Sequence, residues 1–149
     1  MILNKGNRLA KKWKLRSAMA AMTGEYLCDA SELTNGGPGF RFSVHTNTSV
    51  LPAFTIRFHN QVYAYLNRCA HRELELDMMP GRFFDNEKRH LICSTHGAVF
   101  QPDSGECIFG PCLGGQLTSL QVLELEQRLF LTDNVYHVVQ PGQRLFYER

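Results

Sequence analysis

Two short segments of the chain each place one cysteine close to one histidine. The first segment is Cys69-Ala70-His71 and the second is Cys93-Ser94-Thr95-His96, with 21 residues between His71 and Cys93. A single cysteine or histidine is usually a core or surface residue, whereas two mixed pairs at such close spacing favour a shared metal site. Thiolate sulfur and imidazole nitrogen are both ligands of zinc and of iron.

Two kinds of metal site are compatible with these pairs. Two cysteines and two histidines can hold a single Zn²⁺ in a closed tetrahedral structural site, although zinc motifs usually pair cysteine with cysteine and histidine with histidine. Mixed pairs also suit a [2Fe–2S] cluster in which two cysteines bind one iron and two histidines bind the other. The spacing favours the cluster and leaves the zinc site open.

The elements that must position these pairs are predicted to be strands. From Glu25 onward, short β-rich runs alternate with turn residues, and no 12-residue window has a 3.6-residue apolar period. The predicted strands cover residues 26–28, 40–44, 53–58, 62–66, 91–92, 98–100, 120–125 and 129–131. Each Cys-His pair therefore follows a strand, and the pattern is typical of an all-β sandwich or small barrel.

Length and composition limit the class of protein. A chain of 149 residues predicts one domain, and 44% apolar with 20% charged residues is typical of a soluble globular protein. The longest apolar run, residues 18–22, is far shorter than the roughly 20 residues of a membrane-spanning helix. Five cysteines are too few for a small secreted disulfide protein. We expect neither a membrane anchor nor a disulfide scaffold.

Basic residues are concentrated in an arm that we define as residues 1–24. Six of them precede the first acidic residue, Glu25, although the net charge of the chain is only +2. We interpret the arm as a solvated helix or a disordered tail, or as residues upstream of a true start at Met19 or Met22. No apolar stretch of secretory-signal length follows it. Lipid or nucleic-acid binding by the arm is a minor alternative, and we expect no nucleic-acid or membrane partner.

The two segments and the sequence that follows them resemble the Rieske ferredoxin family. Cys69-Ala70-His71-Arg72 with Leu76-Asp77 resembles the first cluster loop of that family, and residues 93–98 with Phe100 resemble the second. Gly105-Glu106-Cys107, Gly110-Pro111-Cys112 and Gly114 resemble the proline-containing loop that folds over the cluster. The resemblance covers about residues 25 to 135. Ala70 and Glu73 stand where many members have proline and glycine, but neither position is a ligand.

The resemblance implies an antiparallel β-sandwich with a small cluster-binding subdomain at about residues 67–117 and a tail at residues 136–149. It implies one Rieske-type [2Fe–2S] cluster per chain, held by Cys69, His71, Cys93 and His96. Further residues are expected around the cluster without binding it: Gly97, Ala98, Phe100, Gly110, Pro111 and Cys112.

The resemblance also implies a low reduction potential. High-potential respiratory members have a serine and a tyrosine, both hydroxyl donors, where this sequence has Ala98 and Phe100. Those members also join their cluster loops by a disulfide, at positions occupied here by Leu74 and Thr95. Both differences favour the low-potential ferredoxin branch.

Three cysteines remain outside the predicted ligand set. Cys28 lies in a predicted strand and is expected to be a core thiol. Cys107 and Cys112 flank the proline-containing loop and stand close enough in sequence to pair. Their separation of five residues and an expected reducing compartment argue against a permanent bridge.

The function implied is that of a cytoplasmic one-electron carrier between a reductase and an oxygenase or reductase partner. A Rieske oxygenase has a further domain with a mononuclear iron, for which 149 residues leave no room. No G-x-G-x-x-G dinucleotide fingerprint is present, so we expect an electron-transfer component that does not act as a catalyst by itself. One alternative is the small subunit of a larger reductase such as assimilatory nitrite reductase, and another is a zinc-stabilised structural module.

Overall fold

The structure is a computed structural model that describes residues 5–70 and 72–140. One helix precedes eleven strands in the described residues, and a short 3₁₀ turn at Ala30–Glu32 follows the first strand. The elements are α1 (Lys5–Thr23), β1 (Glu25–Asp29), β2 (Phe40–His45), β3 (Val50–Phe58), β4 (Gln61–Leu66), β5 (Leu91–Ile92), β6 (Val99–Phe100), β7 (Cys107–Phe109), β8 (Ser119–Leu120), β9 (Val122–Leu125), β10 (Arg128–Leu131) and β11 (His137–Val138).

The strands form three antiparallel sheets. The largest has the order β11-β2-β3-β4-β8, and the two smaller sheets have the orders β1-β10-β9 and β5-β6-β7. The predicted class, an all-β fold of antiparallel sheets, is confirmed. Of the alternatives given for the basic arm, the structure shows a helix: α1 covers Lys5–Thr23 and contacts β9. No helix among the described residues is long and apolar enough to cross a membrane.

A tight turn sets the register of the hairpin formed by β3 and β4. His59 and Asn60 join β3 to β4 with φ angles of +48° and +64°, and Phe58 pairs with Gln61. Two consecutive left-handed residues match the twist of a two-residue hairpin turn. The predicted strands 53–58 and 62–66 leave residues 59–61 as their connection. In the structure the connection is one residue shorter, because Gln61 belongs to β4.

The largest sheet contributes to two apolar cores. Along β4, Ala64 and Leu66 pack into a core shared with β1 and β10, while Tyr65 packs into a second core on the other face. This alternation follows from the two-residue side-chain period of a strand. In the second core, the rings of Phe54 and Phe83 stack with centroids 3.8 Å apart, which fixes the segment between β4 and β5 against β3. Cys69 and Cys93 are members of this second core.

The short strands are where sequence and structure differ. β7 and β11 were not predicted, and the predicted strand 120–125 is divided into β8 and β9 at Gln121. In β11, which lies in the expected C-terminal tail, His137 pairs with His45 of β2. Cys28 is a buried thiol in β1, as predicted, and burial raises its pKa to about 12.

Candidate metal centre

The first predicted ligand loop, residues 67–77, begins and ends at two buried polar side chains. The amide nitrogen Nδ2 of Asn67 donates to Oδ1 of Asp77 at 2.7 Å, and the backbone N–H of Leu76 donates to Oδ1 of Asn67 at 2.9 Å. The two ends of the loop are thereby held together on either side of Cys69. Sequence analysis did not identify Asn67, although a polar residue directly after an apolar strand and two residues before the cysteine was a usable signal.

Asp77 also connects this loop to the rest of the sandwich. Its Oδ2 accepts from the backbone N–H of Gly81 at 2.8 Å and lies 3.0 Å from Nε of Arg41 in β2. The Arg41 guanidinium reaches Oε2 of the exposed Glu75 at 2.7 Å as well. Nothing in the local sequence signalled Arg41, because it approaches the loop only through the tertiary fold.

The second predicted ligand loop, residues 93–98, is the connection between β5 and β6. The Cys93 N–H donates to the Ala98 oxygen and the Gly97 N–H donates to the Cys93 oxygen, both at 2.9 Å. Gly97 has a φ of +67°, a left-handed conformation that glycine adopts without steric cost. Nothing described lies within 4 Å of a Cβ added to Gly97, so the backbone conformation is what requires glycine at this position.

The two loops are joined, and they bury the two predicted cysteine ligands. The Ser94 N–H of the second loop donates to the Leu76 oxygen of the first at 3.0 Å, and the Cys69 N–H donates to the Leu74 oxygen at 2.8 Å. Cys69 is 4% exposed, Cys93 is fully buried, and neither forms a disulfide. His96 is exposed. His71, the fourth predicted ligand, lies outside the described residues.

A third segment, residues 107–115, packs on both ligand loops and is called the covering loop below. A Cβ added to Gly110 would lie 3.0 Å from Cα of Ala98, and one added to Gly115 would lie 3.6 Å from Cβ of Ala70. Gly110 also has a φ of +103°. The close approach to Ala98 therefore requires glycine at position 110. Pro111, at the outer end of the loop, is exposed.

Cys107 and Cys112 form a disulfide within the covering loop, a pairing that the sequence left open while arguing against a permanent bridge. Their Cα atoms are 6.0 Å apart, inside the range that a disulfide spans. The physical reason is the backbone of the loop. The Cys107 N–H donates to the Gly115 oxygen at 2.8 Å and the Gly115 N–H donates to the Cys112 oxygen at 2.7 Å, which brings the two cysteines face to face.

The two residues expected in place of hydroxyl donors are fully buried. Ala98 and Phe100 belong to the core that contains Cys69 and Cys93, and neither side chain has a polar atom. The surface nearby is apolar in part: Phe109 is 68% exposed and Leu113 is 71% exposed. On the first ligand loop, Arg68 and Glu73 form an exposed ion pair at 2.6 Å.

The arrangement fits the donor set of a mixed thiolate and imidazole centre. Two buried thiols lie on loops joined by a backbone hydrogen bond, beneath a covering loop, with an imidazole at the surface. Among residues 5–70 and 72–140 alone, no three His, Cys, Asp or Glu side chains form a metal site. Cys69, Cys93 and His96 therefore do not by themselves complete the predicted ligand set, which also includes His71.

Comparisons with known proteins agree with this arrangement. A family model described as the Rieske [2Fe–2S] domain matches residues 25–126. A search of curated proteins found no match.

Solved structures of low sequence identity share the fold. The ferredoxin of carbazole 1,9a-dioxygenase from Nocardioides aromaticivorans IC177 is 22% identical, with a TM-score of 0.55 over 73% of this chain and 96% of that chain. A Sphingomonas yanoikuyae B1 ferredoxin is 17% identical, with a TM-score of 0.56 over 74% of this chain and 98% of that one. A chain from a complex of reduced oxygenase and oxidised ferredoxin in carbazole 1,9a-dioxygenase is 22% identical, with a TM-score of 0.56 over 73% and 92%.

Proposed function

Because the chain belongs to the Rieske [2Fe–2S] domain family, we propose that it is a Rieske-type ferredoxin, a one-electron carrier between a reductase and an oxygenase or reductase partner. The observation that carries the proposal is the pair of buried thiols, Cys69 and Cys93, on hydrogen-bonded loops beneath the covering loop. The solved complex of an oxygenase with its ferredoxin supports a redox protein as the partner.

The proposed ligands are Cys69 and Cys93 on one iron and His71 and His96 on the other. The cluster supplies reversible one-electron chemistry when bound. Cys69 and Cys93 are buried, and the covering loop packs on their loops, so these residues would keep water away from the two cysteine ligands. His96 is exposed, so as a ligand it would lie where a redox partner can approach.

We further propose that residues 25–135 are the electron-transfer unit, with the cluster-binding subdomain at about residues 67–117, and that the protein is cytoplasmic. Cell fractionation with an antibody to the full chain tests the location. Recovery of the protein mainly with membranes would contradict it.

The deciding experiment measures iron, acid-labile sulfide and zinc in the purified full chain. We expect two irons and two sulfides per chain, a red-brown colour and a Rieske-type electron paramagnetic resonance spectrum after one-electron reduction. The variants Cys69→Ser and Cys93→Ser should lose this spectrum. Cys28→Ser is the matched control, because Cys28 is a buried thiol in the other core. A colourless zinc protein, or a normal Rieske spectrum in Cys93→Ser, would overturn the proposal.

A further inference from the structure

The disulfide of the covering loop is held in place by the backbone around it. Besides the two hydrogen bonds that bring the cysteines face to face, the Gly114 N–H donates to the Cys107 oxygen at 3.2 Å. These bonds use backbone groups and do not depend on the sulfur–sulfur bond. The two thiols of a reduced loop therefore stay adjacent, and their reoxidation is an intramolecular reaction at high effective concentration.

The short spacing gives this disulfide a smaller role in stability than a bond that closes a long loop. A cross-link stabilises a protein mainly by restricting the unfolded chain, and the effect grows with the number of residues that it encloses. Cys107 and Cys112 are separated by only five positions. A bond of this kind can open and close without unfolding the protein.

The two sulfurs differ in their access to a reagent. Cys112 is 8% exposed and Cys107 is 1% exposed. Both cysteines belong to the core that contains Cys69 and Cys93, but Cys112 lies between the exposed residues Pro111 and Leu113, whereas Cys107 belongs to β7. An incoming thiolate must reach a sulfur along the S–S axis, so the more accessible Cys112 is the site of attack.

We propose that Cys107 and Cys112 form a reversible thiol–disulfide site that is opened by an external dithiol. One thiolate of the dithiol forms a bond with Sγ of Cys112, the Cys107–Cys112 bond breaks, and the Cys107 sulfur leaves and takes a proton. The second thiol of the reductant attacks the mixed disulfide and releases Cys112. Two electrons and two protons pass to the protein, and the dithiol becomes a disulfide. A disulfide oxidant reverses the reaction.

The consequence for the molecule lies in the covering loop. Gly110 packs against Ala98 of the second ligand loop, and Gly110 stands between the two cysteines in sequence. Opening the bond removes the side-chain link across this turn. The backbone hydrogen bonds remain and keep the thiols adjacent, but without the link residues 108–114 open more often. This inference concerns a separate pair of sulfurs and does not rest on the proposed electron-carrier function.

The test uses the full chain with its metal centre, without oxygen, in buffers that contain reduced and oxidised dithiothreitol at a series of ratios. After alkylation and peptide mapping, Cys107 and Cys112 should gain label together, in a transition that is the same in both directions. Cys28 is the internal control, because it is a free thiol in the other core and its labelling should not change with the ratio of reduced to oxidised dithiothreitol. Labelling of the pair only after denaturation, or a pair that never oxidises, would overturn the proposal.

Two single variants test the site of attack. With oxidised glutathione, Cys107→Ser should form a mixed disulfide at Cys112 at least ten times faster than Cys112→Ser forms one at Cys107. Equal rates would refute the assignment of Cys112. The double variant, with both cysteines changed to serine, should keep its iron, and loss of iron there would show that the pair does more than close the loop.

Amide hydrogen exchange tests the effect on the covering loop. Exchange in residues 108–114 should rise several-fold on reduction of the unmodified chain and of the matched control Cys28→Ser. In the double variant it should be equally fast with and without reductant. Exchange that does not change on reduction of the unmodified chain would refute the loosening of the loop.

Discussion

Replacing Asp77 tests whether its hydrogen-bond network positions the first ligand loop. The carboxylate is buried and accepts from Asn67, from the backbone of Gly81 and from Arg41. Asp77→Ala removes all three contacts at once, whereas Asp77→Asn keeps the volume but places an amide against at least one donor. Glu75→Gln is the matched control, because Glu75 contacts the same arginine from the surface.

The expected magnitude follows from the burial of each donor. In Asp77→Ala the Asn67 amide and the Gly81 N–H remain buried without an acceptor, at about 1–3 kcal/mol each. Arg41 keeps Glu75 and is 38% exposed in its side chain, so the loss of its contact is largely screened. The free energy of unfolding should therefore fall by about 2–6 kcal/mol in Asp77→Ala, the cost of leaving these two buried donors unpaired. Glu75→Gln should cost less than about 1 kcal/mol.

The measurement is urea unfolding of the full chain without oxygen, followed by circular dichroism, together with the iron content of each variant before unfolding. Asp77→Ala should combine the loss of stability with loss of iron, and Glu75→Gln should keep both. An Asp77→Ala protein within about 1 kcal/mol of the unmodified chain, or equal losses in both variants, would show that the network does not hold the loop.

Three other perturbations have defined outcomes. Ala98→Ser should raise the reduction potential from the lower end of the Rieske range, roughly −150 mV, by restoring a hydroxyl donor; an unchanged potential would contradict the argument from absent hydroxyls. Gly110→Ala should speed the release of iron, because the added Cβ meets Ala98. Gly114 also has a positive φ, but no described atom lies within 4 Å of a Cβ added there, so Gly114→Ala should speed the release much less. Equal rates of iron release in the two variants would contradict the close approach of Gly110 to Ala98. Burial raises the pKa of Asp133, but the N–H groups of three residues, those at 121, 135 and 136, outweigh it and lower the pKa overall. Its contribution to stability is therefore present above the unfolded pKa of about 3.9 and is lost as pH falls through the lower folded value, and Asp133→Asn should remove this part of the acid dependence of unfolding.

The sequence predicts those features of the structure that depend on a pattern of neighbouring residues. The β3–β4 hairpin was predicted because two β-rich runs, residues 53–58 and 62–66, are separated by a short connection. The ligand loops were predicted because cysteine and histidine are rare and closely spaced. β7 and β11 have three and two residues, too few for a period to show. The role of His71 lies outside the described residues and stays a prediction.

The remaining features depend on contacts between distant segments. Arg41 reaches Asp77 across 36 positions of the chain, and no local pattern records such a contact. The Cys107–Cys112 bridge was left open by the sequence for a related reason. Its formation depends on how the backbone turns between Gly110 and Gly115, which composition and spacing do not specify.

Each proposed cysteine ligand lies beside a hairpin whose two strands are neighbours in sequence, and this predicts the order in which the parts of the site fold. Cys69 stands three residues after β4, whose partner β3 is joined by a two-residue turn, and Cys93 begins the connection between β5 and β6. Such hairpins form between neighbours in sequence and lose little chain entropy. The bond from Ser94 to Leu76 joins more distant residues, so it is expected to form later. The covering loop follows both hairpins in the chain, so it is synthesised after them and packs over two ligand loops whose hairpins have already formed.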